Sequence, residues 1–327
     1  MNLVDVLRTV LAPVLGATLL GALISSLLRR LGGSRGASLA RRSPLVLAQL
    51  LYRIAIPLAI INFVRGAEIT LSTWIAPAAA WLATLIAIGS CLIVFRRRGE
   101  PPLPLASRRA FMLCSYLGNT SYLGFPIILL LPQLGERFFG IAVMYDIFGT
   151  ILGAYGLGPW ICSGFGAGGQ EASSPLRRLA ELPRLLLNPT LVAFLIGVAL
   201  KPVPLPEWLT ASMAVVAWSS IAVALLVMGM RLEQLSGAGQ VRWACRASAI
   251  KLLVVPLLLA TLLTAIGMDG PQRLVLVLQA SMPSAFAALV LTETYELDHQ
   301  LTVTTLLISL VAAVPMLALW CVLLTTW

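Results

Sequence analysis

Two ionisable side chains lie inside long apolar runs, where a charge loses its hydration and needs a partner or a function. Asp146, in the string Met144–Phe148, could take up and release a proton as its surroundings close and open to water. The alternative is a structural carboxylate that is hydrogen-bonded to an interrupted helix. Arg53, four residues before Pro57, could hold a carboxylate through its planar guanidinium. The alternatives are that Arg53 reaches toward water or pairs with Asp146.

A short polar string, Asn119, Thr120 and Ser121, lies in the middle of another apolar run and is followed by Gly124 and Pro126. Proline removes a helical hydrogen bond and glycine lowers the cost of opening the backbone. The amide and hydroxyl groups would then lie beside helix ends whose N–H groups lack partners. This combination predicts a broken helix that binds an anion.

A second string of the same kind contains Ser281, Pro283 and Ser284, again near the centre of an apolar run. The alternative for one such string is an ordinary proline-kinked helix. Two strings in corresponding places favour a pair of broken helices, with Pro283 as a second helix-break residue and both serines as substrate-binding candidates.

Other kinds of chemistry find little support in the sequence. Five cysteines are scattered without metal-ligand spacing, and His299 is the single histidine, which excludes a His-rich metal centre. The only histidine lies in a predicted loop, so an intramembrane hydrolase is a weak alternative, and no enzymatic activity or cofactor is expected. The net charge of +10 comes from basic residues in short loops, which does not indicate nucleic-acid binding.

The composition explains what must position these residues. Of the 327 residues, 59% are hydrophobic and 11% are charged, against roughly 25% charged in a soluble domain. A multi-pass membrane protein follows, and its continuous apolar runs require helices rather than barrel strands. Ten spans are predicted, at about 3–28, 44–63, 72–95, 109–131, 136–161, 184–200, 207–230, 246–267, 271–292 and 299–325.

The loop charges predict the orientation. Sixteen of the 23 lysines and arginines follow the odd-numbered spans, and five lie at the other ends of the spans. Because basic loops stay in the cytoplasm, both termini are predicted outside the cell (inner) membrane. Lys251, near the cytoplasmic start of span 8, is expected to extend its ammonium toward that surface.

A stretch rich in Gly, Ser and Pro at 162–183 predicts a flexible cytoplasmic linker between two five-helix halves, 1–161 and 184–327. An odd number of spans in each half inverts the second half relative to the first, as in many secondary transporters. The two broken helices, spans 4 and 9, are then expected to cross near the midplane of the membrane.

These residues resemble the auxin efflux carrier family, within the bile acid/sodium symporter-like superfamily. Asn119-Thr120 through Gly124-Phe125-Pro126 is similar to the family's N-T-x-x-x-G-x-P motif, and Met282-Pro283-Ser284-Ala285 is similar to its M-P-x-A stretch. Asn188-Pro189 with Gly197 resembles the start of its sixth span. The resemblance covers nearly the whole chain and implies an efflux carrier.

The sequence thus predicts a secondary transporter that moves a small organic anion, such as a carboxylate, by alternating access. The predicted substrate contacts are Asn119, Thr120, Ser121, Ser281, Ser284 and Arg53. Asp146 is the candidate for coupling to H+ or Na+, and the remaining partners are the lipid bilayer and a second copy in a homodimer. A membrane channel or receptor is the alternative, although no charge ring or filter-like repeat is found.

Overall fold

The computed structural model describes residues 7–96, 103–163, 188–235 and 239–325. These residues form α-helices and short helical turns without a β-strand, so the predicted all-helical class is confirmed. The α-helices of the described part are α1 Ala12–Leu31, α2 Gly33–Leu50, α3 Ile56–Gly66, α4 Leu71–Phe95, α5 Leu105–Tyr116, α6 Phe125–Leu130, α7 Phe139–Tyr145, α8 Gly158–Ser163, α9 Pro189–Ala199, α10 Glu207–Glu233, α11 Val241–Ala249, α12 Val255–Ala265, α13 Gly270–Ala280, α14 Phe286–Thr294 and α15 His299–Thr325.

Seven helical stretches in the described ranges are long and apolar enough to cross a membrane. They coincide with predicted spans 1, 2, 3, 5, 7, 8 and 10. Predicted spans 4, 6 and 9 contain shorter helices, because spans 4 and 9 are interrupted and the described part of span 6 begins at Asn188. The chain is a multi-pass membrane protein, whereas ten spans and the inverted repeat stay predictions.

The basic stretch at 29–43, expected to be a loop, is mostly helical. The chain turns at Gly32 and Gly33, where Gly33 has a φ of 54° that glycine tolerates best. Helix α2 then continues through a π-helical turn, Leu51–Ala55, into α3. Alanine, leucine and arginine, all good helix formers, fill much of the segment after the turn.

Two compact units make up the chain. Unit 1 consists of Met1–Thr70, Ser121–Val143 and Asn188–Ser236, and unit 2 consists of Leu71–Thr120, Met144–Leu187 and Gly237–Trp327. Both predicted halves therefore contribute segments to each unit. Most of the predicted linker at 162–183 lies outside the described residues.

Glycines bring α1 and α10 close together in unit 1. Gly21 lies against the backbone of Leu226, and Gly229 lies against the backbone of Thr18. A Cβ atom at either glycine would overlap a carbonyl oxygen of the other helix. The absence of side chains at these two positions therefore sets the distance between the helices.

The ends of α3 and α9 in unit 1 cap each other. Arg65, near the end of α3, donates to the carbonyl oxygens of Leu200 (3.2 Å) and Val203 (3.0 Å), which follow α9. Lys201, just after α9, donates in return to the carbonyl oxygen of Ala67, which follows α3. Cations suit these positions because the last carbonyls of a helix carry partial negative charge.

Unit 2 holds both helix interruptions, and a carboxylate joins the N-terminal ends of three of its helices. Asp298 precedes α15 and accepts a hydrogen bond from the backbone N–H of Leu301 at 3.0 Å. The same carboxylate accepts from the Ser107 hydroxyl of α5 (2.6 Å) and from the Gln240 amide, which precedes α11. These bonds fix the starts of the helices that lead to the candidate site.

Candidate functional site

The site is built around two extended segments that interrupt the helices of unit 2. After α5 the chain runs extended through Leu117–Asn119, and after α13 it runs extended toward Ala285. The backbone N–H of Asn119 donates to the carbonyl oxygen of Pro283 at 2.8 Å, and that of Ala285 donates to Leu117 at 3.0 Å. The two breaks therefore pair as a short antiparallel bridge between Gly118 and Ser284.

A proline explains the break after α13. The break after α5, however, lies before the glycine and proline that were predicted to cause it. The residue before proline disfavours helical backbone, so Met282 cannot continue α13 into Pro283. Gly124 and Pro126, by contrast, do not lie in the extended segment. Gly124 ends a π-helical turn that begins at Thr120, and Pro126 lies in α6, which continues that turn without interruption, so both residues belong to the helix that follows the break.

Asp146 lies beside the first break, although it is 26 residues away in the sequence. Its side chain is fully buried, and the Thr120 hydroxyl donates to its Oδ1 atom. Because a hydroxyl has a single proton, the 2.7 Å bond between Thr120 and Thr150 is donated by Thr150. The result is a short hydroxyl chain that ends on a carboxylate.

Lys251 is the second charged side chain beside the breaks. The lysine is 3% exposed, and its Nζ atom donates to the carbonyl oxygen of Tyr116, the last residue of α5, at 3.2 Å. Gly118 leaves room for it, since a Cβ atom there would lie 2.9 Å from Nζ. The expectation that Lys251 extends toward the membrane surface is therefore wrong. The π-helical turn Ile250–Val254 carries its side chain inward.

A small cavity separates these groups, with room for about one water molecule. Its polar side chains are those of Thr84, Tyr116, Thr120, Tyr145, Thr150 and Lys251. An ammonium group beside several hydroxyls can hold a carboxylate oxygen or an ordered water. A larger ligand requires the surrounding side chains to move.

The remaining predicted substrate contacts differ in what their side chains already do. Asn119 is 6% exposed and lies at the break. The hydroxyl of Ser281 donates to Leu278 (2.9 Å), and that of Ser284 donates to Cys114 (2.8 Å). These two serines therefore satisfy carbonyl oxygens near the ends of α13 and α5.

Two predicted contacts belong to unit 1 and are not part of this group. Ser121 is half-buried, and Arg53 is exposed in the π-helical turn that precedes α3. Their contact with a substrate stays a prediction.

Gln279 is a residue that the sequence reasoning missed. It lies one residue before the end of α13, is fully buried, and neither its Oε1 nor its Nε2 atom has a hydrogen-bond partner in the described structure. An amide inside an otherwise apolar helical run, two residues before the polar string, was the available signal.

Comparison with known proteins finds relatives that are named as transporters. Residues 177–321 match the family described as membrane transport protein. An uncharacterized transporter of Methanocaldococcus jannaschii is 29% identical over 209 residues, which are 64% of this chain and 66% of that protein. An uncharacterized transporter of Methanothermobacter thermautotrophicus is 27% identical over 230 residues, 70% of this chain and 71% of that protein. The chain thus spans about two thirds of the length of these relatives, and the resemblance to the auxin efflux carrier family is confirmed.

Proposed function

Starting from this resemblance to the auxin efflux carrier family, we propose that the protein is a proton-coupled secondary transporter that exports a small organic anion. The anion is a carboxylate, and it binds where the two breaks meet in unit 2. Transport proceeds by alternating access, with both termini outside the cell membrane. The efflux direction rests on the family resemblance and the orientation on the loop charges.

The buried ammonium of Lys251 is the observation that carries the proposal. Its Nζ atom has three protons, and its hydrogen bond to Tyr116 uses one of them. A cation in the interior of a membrane protein is costly unless it is paired. A substrate carboxylate that enters the cavity would lie next to the ammonium and accept hydrogen bonds from its two remaining N–H groups.

Asp146 supports proton coupling by charge balance. With an ionised carboxylate and an ammonium, the site has no net charge, so an entering monoanion leaves it negative. Uptake of one proton by Asp146 restores the balance, and the hydroxyls of Thr120 and Thr150 connect the carboxylate to the cavity. Linkage of this kind makes anion binding and proton binding favour each other, so the two cross in the same direction and export requires an outward anion gradient that exceeds any inward proton gradient.

Flux into liposomes tests the proposal. Purified protein is reconstituted, and exchange of radiolabelled malonate, malate and indole-3-acetate is followed with and without a pH gradient. We expect saturable flux of at least one of these carboxylates, accelerated by a pH gradient and unaffected by sodium. Flux that grows linearly with concentration would indicate a channel. Flux that follows a sodium gradient would refute proton coupling, and the absence of carrier-mediated flux for all three would refute the substrate class.

A further inference from the structure

We propose that Gln279 is a substrate-binding residue that gives this transporter a preference for hydroxycarboxylates. The inference rests on the proposed function and extends it, because a carboxamide offers one hydrogen-bond acceptor and two donors. A plain carboxylate supplies acceptors alone. A ligand with a hydroxyl beside its carboxylate can donate to Oε1 and accept from Nε2, and so satisfies both ends of the side chain.

The burial of an unpaired amide is the first observation. Gln279 is 0% exposed, and both of its side-chain polar atoms lack a partner in the described part of the chain. Every other buried side chain found in this condition has one such atom. Buried polar groups in folded proteins are nearly always hydrogen-bonded, so an orphaned pair requires an explanation such as a ligand.

The polar side chains near Gln279 are hydrogen-bonded, in contrast to its amide. Ser281, two residues later, donates its hydroxyl to the carbonyl oxygen of Leu278, and its backbone N–H bonds to Val277 and Leu278. Ser284 is likewise satisfied by Cys114. The chain around the break has thus paired its short side chains and left the long amide unpaired.

The position of Gln279 connects it to the candidate site. Helix α13 packs against α4, which contributes Thr84 to the cavity lining, and against α12, which follows the turn that carries Lys251. The hydrogen bond from the N–H of Met282 to the carbonyl oxygen of Gln279 is long, at 3.4 Å. Gln279 therefore lies where α13 gives way to the break, and a ligand reaches its amide if the break moves.

Replacing Gln279 by leucine separates a functional amide from a structural one. Because leucine has a similar size and no polar atoms to leave unpaired, Gln279→Leu is expected to raise the Tm of the purified protein without substrate. Thr305→Val is the control, since the buried Thr305 hydroxyl donates to Leu301 at 2.7 Å and its loss should lower the Tm. A Tm below wild type for Gln279→Leu would show that the amide is paired and would overturn the proposal.

The second experiment compares the affinities for L-malate and succinate, which differ by one hydroxyl. The wild type is expected to bind L-malate at least tenfold more tightly than succinate, and Gln279→Leu is expected to reduce that ratio to within about twofold. Equal affinity in the wild type, no binding of either acid, or an unchanged ratio in the variant would overturn the inference. If the wild type still binds a carboxylate and Lys251→Met weakens that binding roughly a hundredfold, the proposed function survives without the inference.

Discussion

The chain contains two lysines, and they make the same contact in different surroundings. Lys201 in unit 1 donates to the carbonyl oxygen of Ala67 after the end of α3, and Lys251 in unit 2 donates to that of Tyr116 at the end of α5. Lys201 is exposed, whereas Lys251 is buried beside a cavity. The first lysine is solvated as it caps a helix, while the second is shielded from water and shares its site with the buried carboxylate of Asp146.

The comparison of the two lysines indicates that burial, rather than the hydrogen bond itself, distinguishes a functional cation from a structural one. Lys201 is exposed to solvent, and Arg65 donates in the opposite direction to carbonyl oxygens that follow α9. Around Lys251, the extended backbone, the hydroxyls of Thr120 and Thr150, and the carboxylate of Asp146 form a polar group inside an apolar unit. Such a group is expensive to maintain, and ligand binding is a reason to retain it.

The largest expected effect on carboxylate affinity comes from removing the charge of Lys251. Lys251→Met nearly keeps the length of the side chain but removes the ammonium. Hydrogen bonds to charged groups contribute about 1.5–3 kcal/mol, and about 1.4 kcal/mol corresponds to a tenfold change in the dissociation constant. Carboxylate binding should therefore weaken roughly a hundredfold. Lys201→Met is the matched control and should change affinity by less than about twofold. Isothermal titration with the transported carboxylate measures both. Equal effects of the two substitutions would remove the distinction between the lysines.

Asn119→Ala is expected to have the next largest effect, a weakening of substrate binding by roughly tenfold to a hundredfold. The substitution removes two donors and an acceptor beside the break, and each uncompensated buried hydrogen bond costs about 1–3 kcal/mol. The protein should still fold, because the backbone N–H that bonds Pro283 is retained. Normal affinity in this variant would show that the substrate does not bind at the break.

Much of this site could be predicted from the sequence because its signals are local. Proline beside small polar residues predicted interrupted spans 4 and 9, and both interruptions are present, with Pro283 within the second. A carboxylate in an apolar run identified Asp146, which does contact Thr120. Pattern and composition were enough for these features, because each depends on a few neighbouring residues.

The other features depend on packing that no short string encodes. Whether Lys251 turns inward depends on how its turn meets α5, and this is decided by residues more than a hundred positions away. The hydroxyls of Ser281 and Ser284 looked available, yet carbonyl oxygens at nearby helix ends already accept from them. Gly124 looked like part of a break, but the extended segment begins upstream, at Leu117.

Asp146→Asn should alter the pH dependence of binding rather than its strength. In the wild type, binding of the anion is linked to uptake of one proton, so affinity should fall by up to about tenfold per pH unit once Asp146 is ionised before binding. Asparagine keeps the hydrogen-bond acceptor for Thr120 but does not titrate, so the profile should flatten while affinity at low pH changes by less than about threefold. Titrations from pH 5 to 8 measure this. A profile that remains steep would assign the proton to another group.

The smallest expected effect comes from moving the ammonium without removing it. A Cβ atom on Gly118 would lie 2.9 Å from Nζ of Lys251 and 3.1 Å from its Cε atom, so Gly118→Ala must displace the flexible end of the lysine. The charge stays in the unit but loses its position beside the break. Carboxylate affinity should therefore fall by about threefold to tenfold, less than in Lys251→Met. Gly89→Ala is the control, because a Cβ atom there meets nothing within 4 Å.

In Lys251→Met, where the ammonium is absent, adding Gly118→Ala should weaken binding no further, since residues in contact are not expected to act additively. An undiminished effect of Gly118→Ala in that background would mean that the glycine acts on the backbone pairing of the breaks, and the position of the ammonium would then not account for the difference between the two lysines.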